Sequence, residues 1–266
     1  MNKPAITAGL CVILLLVAGG ISRGDPPGAD IREGTIITSG RVNTSGKFTF
    51  KYGKIEASIK LPKTADGLWP AFWMLSADFF NRGWPQCGEI DIVEMGHKAA
   101  TGNNTQDRYF TGAAHWGTQR GNEHPNYALP AISGYSLQDG FHLYTLLWDE
   151  TGIRMYLDTN PQPYFVMDTT AAAVKDFFHK PYFIVFNLAV GGDLPEIYDA
   201  SLISALNADN NYEARMYIDF LNVYDTSGNP LWQTEFNEQT LDPGRWNIEE
   251  DDRGGGNHEL QSYRKT

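Results

Sequence analysis

Trp84-Pro-Gln-Cys-Gly-Glu-Ile-Asp-Ile-Val-Glu-Met95 places three carboxylates, Glu89, Asp91 and Glu94, within six residues. The residues between them, Ile90, Ile92 and Val93, are strand formers, and Gly88 and Gly96 bracket the run. Alternation along a strand sends Glu89 and Asp91 to one face and Glu94 to the other. A one-residue β-bulge between Asp91 and Glu94 returns Glu94 to the carboxylate face, and bulges are common beside active sites. Three like charges a few ångströms apart repel, so at least one of them holds its proton near neutral pH. Such a set suits glycoside hydrolysis with retention. One carboxylate attacks the anomeric carbon while a carboxylic acid roughly 5–5.5 Å away protonates the leaving oxygen. Asp91, between them, is placed to hydrogen-bond the nucleophile and help set its charge. The competing reading is an acidic, solvent-facing edge strand. The apolar residues between the carboxylates oppose it, because they ask for a buried opposite face, as do Trp69, Trp73 and Trp84 nearby.

Gly88-Glu-Ile-Asp-Ile-Val-Glu94, preceded by Trp84-Pro85, resembles the catalytic signature of glycoside hydrolase family 16. Its Glu-x-Asp-x-x-Glu spacing resembles the laminarinase (endo-β-1,3-glucanase) branch; the lichenase-like branch has one residue fewer. The resemblance implies Glu89 as nucleophile, Asp91 as its helper and Glu94 as acid/base. It also implies the fold: all-β, a two-sheet antiparallel β-jelly-roll sandwich (concanavalin-like), with the catalytic strand on a concave sheet that forms an open cleft.

The elements that must position these carboxylates are legible by period. The 27 glycines, 14 prolines and 13% aromatics among 266 residues favour many short strands joined by turns. Strands are predicted over Thr35–Val42 and Phe48–Leu61, the second with Ile55, Ala57, Ile59 and Leu61 inward. The unbroken apolar run Gly67–Ser76 reads as a buried strand with Trp73 in the core. Phe141–Asp149 and Ile153–Asp158 flank a glycine turn as a hairpin. Pro181–Val190 is a further buried strand, containing Asn187, and Met216–Asp225 is a late one.

Composition bounds the partners. The formal charge is −11, and without residues 1–22 it is −12, from 20 basic and 32 acidic residues. That balance is unsuited to nucleic acid, to an anionic membrane surface and to sulfated polysaccharides, and it fits a neutral glycan. Residues 1–22 read as a signal peptide: Lys3, then the apolar run Ala5–Ala18, then small residues at Ala18, Gly20 and Ser22. The alternatives are an uncleaved membrane anchor, or retention of Ala5–Leu16 as a strand. Cleavage leaves Cys87 as the single cysteine, so no intramolecular disulfide forms, and Cys87 reads as a small packed residue. The expected location is secreted or periplasmic, and the expected state a monomer.

Outside the carboxylates, substrate contacts are expected at Trp69 and Trp84, each followed by proline, because aromatic faces stack on sugar rings. By the resemblance, Arg41 in Ile37–Val42, His115 and Trp116 in Thr111–Gly117, and Asn187 before Gly191-Gly192 line the cleft. A surface arginine at a strand edge and a structural histidine remain the alternatives for Arg41 and His115. The pattern of family 16 ends near Asp225, yet Trp232–Asn237, Leu241–Asn247 and Gly254–Tyr263 resemble the beginning of such a domain. The chain therefore resembles a circularly permuted member. On that reading 23–34 is a linker and domain start, 35–225 the main part, 226–230 a connector, and 231–266 the usual N-terminal part of the same domain. The alternative is a truncated second domain. Asn257, Glu259 and Gln261 carry over as cleft residues, with turn polarity the alternative for Asn257 and Glu259. Most of one family strand before Ile37 is expected to be missing.

The expected function is a retaining endo-hydrolase of β-1,3-glucan, extending to mixed-linkage glucan. The runners-up are a relative active on agar or another galactan, and a glucan-binding module without turnover. No cofactor is expected in catalysis and no metal site, since the six histidines lack paired ligand spacing. Some relatives carry a structural calcium, but no dense acidic loop here predicts one.

Overall fold

The computed structural model describes residues 36–118, 123–238, 240–251 and 256–265, and the strand at 12–19; at 12–19 and 123–127 it describes the backbone alone. The chain start, the small residues at 20–22, the 23–34 linker and Gly254–Gly255 lie outside the described residues.

Two sheets enclose one large apolar core. The seven-stranded sheet runs, in spatial order, β15 (Asn247–Ile248), β3 (Arg41–Asn43), β12 (Tyr182–Val190), β5 (Leu68–Ser76), β6 (Glu89–Met95), β7 (Tyr109–Gly117) and β8 (Glu123–Ile132). All its pairs are antiparallel. The nine-stranded sheet runs β11 (Phe165–Asp168), β10 (Gly152–Leu157), β9 (His142–Trp148), β4 (Gly53–Lys60), β13 (Glu213–Tyr224), β1 (Val12–Gly19), β2 (Ile36–Ser39) and β16 (Gln261–Tyr263). There β14 (Pro230–Thr234) also pairs with β13, and β16 lies parallel to β2.

Period 2 explains most of this. Ile55, Ala57, Ile59 and Leu61 all point into the core, and β12 is buried along its whole length, as befits a strand covered on both faces. The hairpin of β9 and β10 closes at Trp148 opposite Ile153. The strand expected over 35–42 is instead two. It crosses from one sheet to the other at Gly40, so β2 and β3 serve different sheets.

Three features concern the chain ends. Residues Val12–Gly19, read from sequence as part of a leader, stand as β1 between β13 and β2, with Val12 opposite Ile218 and Val17 opposite Thr38. The late strands join the same two sheets: β15 extends β3 and β16 extends β2. Among the described residues no helix is long and apolar enough to cross a membrane.

Candidate active site

The centre of the site is built by β6. Asp91 pairs with Ala113 and Glu94 with Thr111, so Ile92 and Val93 together face the single residue Gly112 on β7. That two-against-one pairing is the bulge anticipated from the spacing. Its result is visible in burial: Ile90, Ile92, Val93 and Met95 are fully enclosed in the core, and Glu89, Asp91 and Glu94 all line one cavity on the opposite face. Both bracketing glycines are required by the backbone. Gly88 (φ 88°) and Gly96 (φ 107°) sit in the left-handed region, and a Cβ on Gly96 would lie 2.0 Å from the Leu68 carbonyl oxygen.

The cavity measures about 310 Å³. On one side of the carboxylates, Trp69 lines it and donates from Nε1 to Glu94 Oε1 at 2.9 Å. On the β7 side His115, opposite Glu89, brings Nε2 to 3.0 Å from Asp91 Oδ2. Trp84 and Phe79 form the rim at the start of β6.

The opposite wall is assembled from distant segments. Trp73 Nε1 donates to Asn187 Oδ1 at 2.7 Å, Asn187 Nδ2 donates to the Tyr263 hydroxyl at 3.2 Å, and that hydroxyl donates to Glu259 Oε2 at 3.1 Å. Asn257 Nδ2 and Gln261 Nε2 also donate to Glu259, at 3.3 and 2.5 Å. Arg41 lies over the Trp73 ring, 5.0 Å from its centroid, and pairs with Glu249 at 3.2 Å. The segment carrying Asn257 sits directly on Gly192, where a Cβ would lie 2.6 Å from the Asn257 carbonyl oxygen.

Electrostatics follow from this enclosure. Burial pushes Glu89 up to about 8, with the Asp91 charge adding and His115 and Arg41 opposing. Glu94 also rises to about 8, through burial first and then Asp91; the Trp69 hydrogen bond and His115 oppose, and Glu259 adds. Asp91 itself is held well above the usual carboxylate range by burial. The two glutamates titrate as a coupled set: the first proton to leave tightens the hold on the second. The singly ionised form, one anion beside one neutral acid, is the form that retention chemistry uses. Glu89, Asp91 and His115 are also, among the described residues, the grouping compact enough to hold a cation, with ligand atoms within 4.8 Å of one another.

Of the residues anticipated from sequence, Glu89, Asp91, Glu94, Trp69, Trp84, Arg41, Asn187, Asn257 and Glu259 line the cavity. His115 stands beside it on Asp91. Trp116 does not belong to the cleft. It is 8% exposed and packs edge-on against Phe178 in the core, 5.5 Å between centroids. Adjacent residues on a strand face opposite ways, so His115 on the cleft face dictates Trp116 in the core. Trp73, read as core, is the converse correction: it lines the cavity and orients Asn187. Gln261 is 2% exposed and supports Glu259 from behind, its Oε1 accepting from the Val190 amide at 2.7 Å. Tyr263, Glu249 and Phe79 are not legible as site residues, because nothing local marks that Tyr263 meets Asn187, that Glu249 meets Arg41, or that Phe79 lines the same cavity as Trp84. Cys87 is fully buried, and burial pushes its thiol up to about 12.

A jelly-roll sandwich whose sheet carries a bulged strand with three carboxylates defines a glycoside-hydrolase type of protein. The model of the glycosyl hydrolases family 16 matches residues 29–216. Over 199 residues the chain is 32% identical to glucan endo-1,3-beta-glucosidase A1 of Niallia circulans, covering 70% of this chain and 26% of that protein. It is 30% identical over 208 residues to a beta-1,3-glucan-binding protein of Penaeus monodon, covering 71% and 55%. A Bacteroides ovatus family 16 protein of a mixed-linkage glucan system, solved with a G4G4G3G product, superposes with a TM-score of 0.69 at 35% identity. That match covers 84% of this chain and 83% of the other. The chain belongs to glycosyl hydrolases family 16. It spans only about a quarter of the Niallia protein's length.

Proposed function

We propose that this chain is a secreted, retaining endo-hydrolase of β-1,3-linked glucan of the laminarin type, extending to mixed-linkage β-glucan. The observation that carries the reading is the bulge in β6, which returns Glu94 to the face of Glu89 and Asp91, so that all three line one cavity. In this reading Glu89 attacks the anomeric carbon as Glu94 delivers its proton to the departing glycosidic oxygen. Glu94, now an anion, takes a proton from water, and the hydroxyl attacks the same carbon and frees Glu89. Asp91, paired with His115, sets the charge felt by both glutamates. The wall of Arg41, Trp73, Asn187, Asn257 and Glu259 holds the donor sugars, and Trp84 with Phe79 supplies an aromatic rim.

The formal charge of −11 favours a neutral glucan over a sulfated galactan. The enzyme acts as a monomer outside the cytoplasm, where its polymeric substrate lies. Loss of residues 1–22 on export would take β1 from between β13 and β2, so the intact mass of the exported protein reports whether 12–19 stays in the sheet. Family 16 catalysis needs no cofactor, and the reading includes no structural calcium. Dialysis against a chelator is expected to leave activity and melting temperature unchanged; a loss restored by calcium would add that ion.

The second reading is a glucan-binding module without turnover, favoured by the similarity to the Penaeus monodon protein of that name. Incubation with laminarin, lichenan, agarose and carrageenan, followed by chromatography, decides between them. Short oligosaccharides from laminarin are expected. Retention on laminarin with no product would establish the module instead, and products from agarose alone would move the substrate to galactan.

A further inference from the structure

The bulge that makes the site also creates a problem for the backbone. On the β5 side Trp73 pairs with Asp91 and Phe72 with Val93, so Ile92 is skipped. On the β7 side Gly112 alone stands opposite Ile92 and Val93. A carbonyl dropped from the ladder inside a sandwich needs a donor from elsewhere. It finds one across the core. The hydroxyl of Tyr164, just ahead of β11 on the other sheet, donates to the Ile92 carbonyl oxygen. The Tyr164 amide is itself tied to the Met155 carbonyl at 2.9 Å, and its ring packs edge-on against Phe110 at 4.9 Å. Burial pushes the phenol up, so it remains a donor at any working pH.

Gly112 is what lets the ring reach. A Cβ there would lie 2.9 Å from Tyr164 Cε2, 2.8 Å from Met155 Sδ and 3.1 Å from Phe165 Cβ. The residue facing the bulge is thus the one that admits the side chain satisfying it.

We infer that Tyr164 is a positioning residue for Glu94: its hydroxyl, passing Gly112 to the Ile92 carbonyl, holds the bulge that aims Glu94 at the leaving oxygen. The same residues in a regular, unbulged strand would turn Glu94 to the other face, so the aim of this one carboxyl depends on the bulge, whereas Glu89 and Asp91 precede it. Misplacing an acid by a fraction of an ångström weakens proton delivery and leaves binding intact. The inference rests on the reading of Glu94 as the acid.

The test is Tyr164→Phe, which keeps the ring and removes the hydroxyl, assayed on laminarin and on a dinitrophenyl β-laminaribioside, whose leaving group needs little protonation. Glu94→Ala and Gly112→Ala are run alongside. For Tyr164→Phe, kcat/KM on laminarin is expected to fall by about ten- to a hundredfold with KM little changed. On the aryl substrate kcat/KM is expected to stay near that of the parent. Gly112→Ala, which crowds the ring, is expected to show the same split. Equal losses on both substrates, or a lower melting temperature with no split, would reduce Tyr164 to a fold-stabilising residue and overturn the inference. So would a Tyr164→Phe chain that fails to melt cooperatively together with a Gly112→Ala chain lacking the split. If Glu94→Ala itself shows no split, the acid assignment fails first. A split in Glu94→Ala without one in Tyr164→Phe sinks the positioning role alone.

Discussion

The two walls of the cleft are made in opposite ways. The carboxylate floor is one strand: Glu89, Asp91 and Glu94 are neighbours in sequence, and a single bulge sets their common face. The opposite wall gathers Arg41 from β3, Trp73 from β5, Asn187 from β12 and Glu249, Asn257, Glu259 and Tyr263 from the last part of the chain. Its order depends on a run of hydrogen bonds from Trp73 through Asn187 and Tyr263 to Glu259. The floor's facing is therefore set within one strand, with Tyr164 supporting the bulge from across the core, while the wall can be disturbed from any of four segments. The first should carry rate and the second affinity and tuning.

The comparison is broken most severely at the floor. Glu89→Gln removes the nucleophile with little change in volume, and kcat is expected to fall by at least about a thousandfold while laminarin affinity persists. Near-parental turnover in that variant would dismiss Glu89 from its role. Next come Trp116 and Trp73, which sharpen the contrast between core and cleft. Trp116→Ala is expected to cost about 3–5 kcal/mol of stability, measured by denaturant melts, because it empties a core site. Trp73→Ala is expected to keep the fold and raise KM by about tenfold, since it removes a stacking face and the donor to Asn187. If Trp73→Ala unfolds and Trp116→Ala does not, the assignment of faces is wrong.

A smaller effect links the two walls. The Glu259 charge raises the Glu94 carboxyl, so Glu259→Gln is expected to move the alkaline limb of the kcat profile to lower pH. An unmoved limb would show that the wall binds without tuning. The last comparison is one of stability against pH. Glu89 has an ordinary value of 4.5 and is raised by burial to about 8 in the fold. A carboxyl raised in this way contributes stability that is present below its unfolded value and lost as pH rises through its folded one. Glu89→Gln should therefore melt higher than the parent at pH 8, with a difference that shrinks towards pH 4. A pH-independent difference in melting temperature would remove burial as the cause of the raised value.

Much of the floor is legible in the sequence, and the reasons are local. Alternation puts Glu89 and Asp91 together, the extra residue before Glu94 demands a bulge, and Gly88 and Gly96 mark where left-handed backbone is needed. The same period separates His115 from Trp116. Trp73 was hidden because an apolar strand lining an aromatic cleft has the same composition as one buried on both faces. Gly40 was hidden because a strand that changes sheets keeps its period while changing its partners.

What the amino-acid order determined by itself is thus the carboxylate set of β6 and a chain of many strands, because both depend on neighbours within a strand; the jelly-roll arrangement came with the family resemblance. What only the tertiary structure decided is who faces whom across the cleft and the core. Arg41 meets Glu249, Asn187 meets Tyr263, and Tyr164 reaches the Ile92 carbonyl through the space left by Gly112. Those pairings join residues that are far apart in the chain, and the order of strands in the two sheets, which no pattern within one strand encodes, brings them within hydrogen-bonding distance.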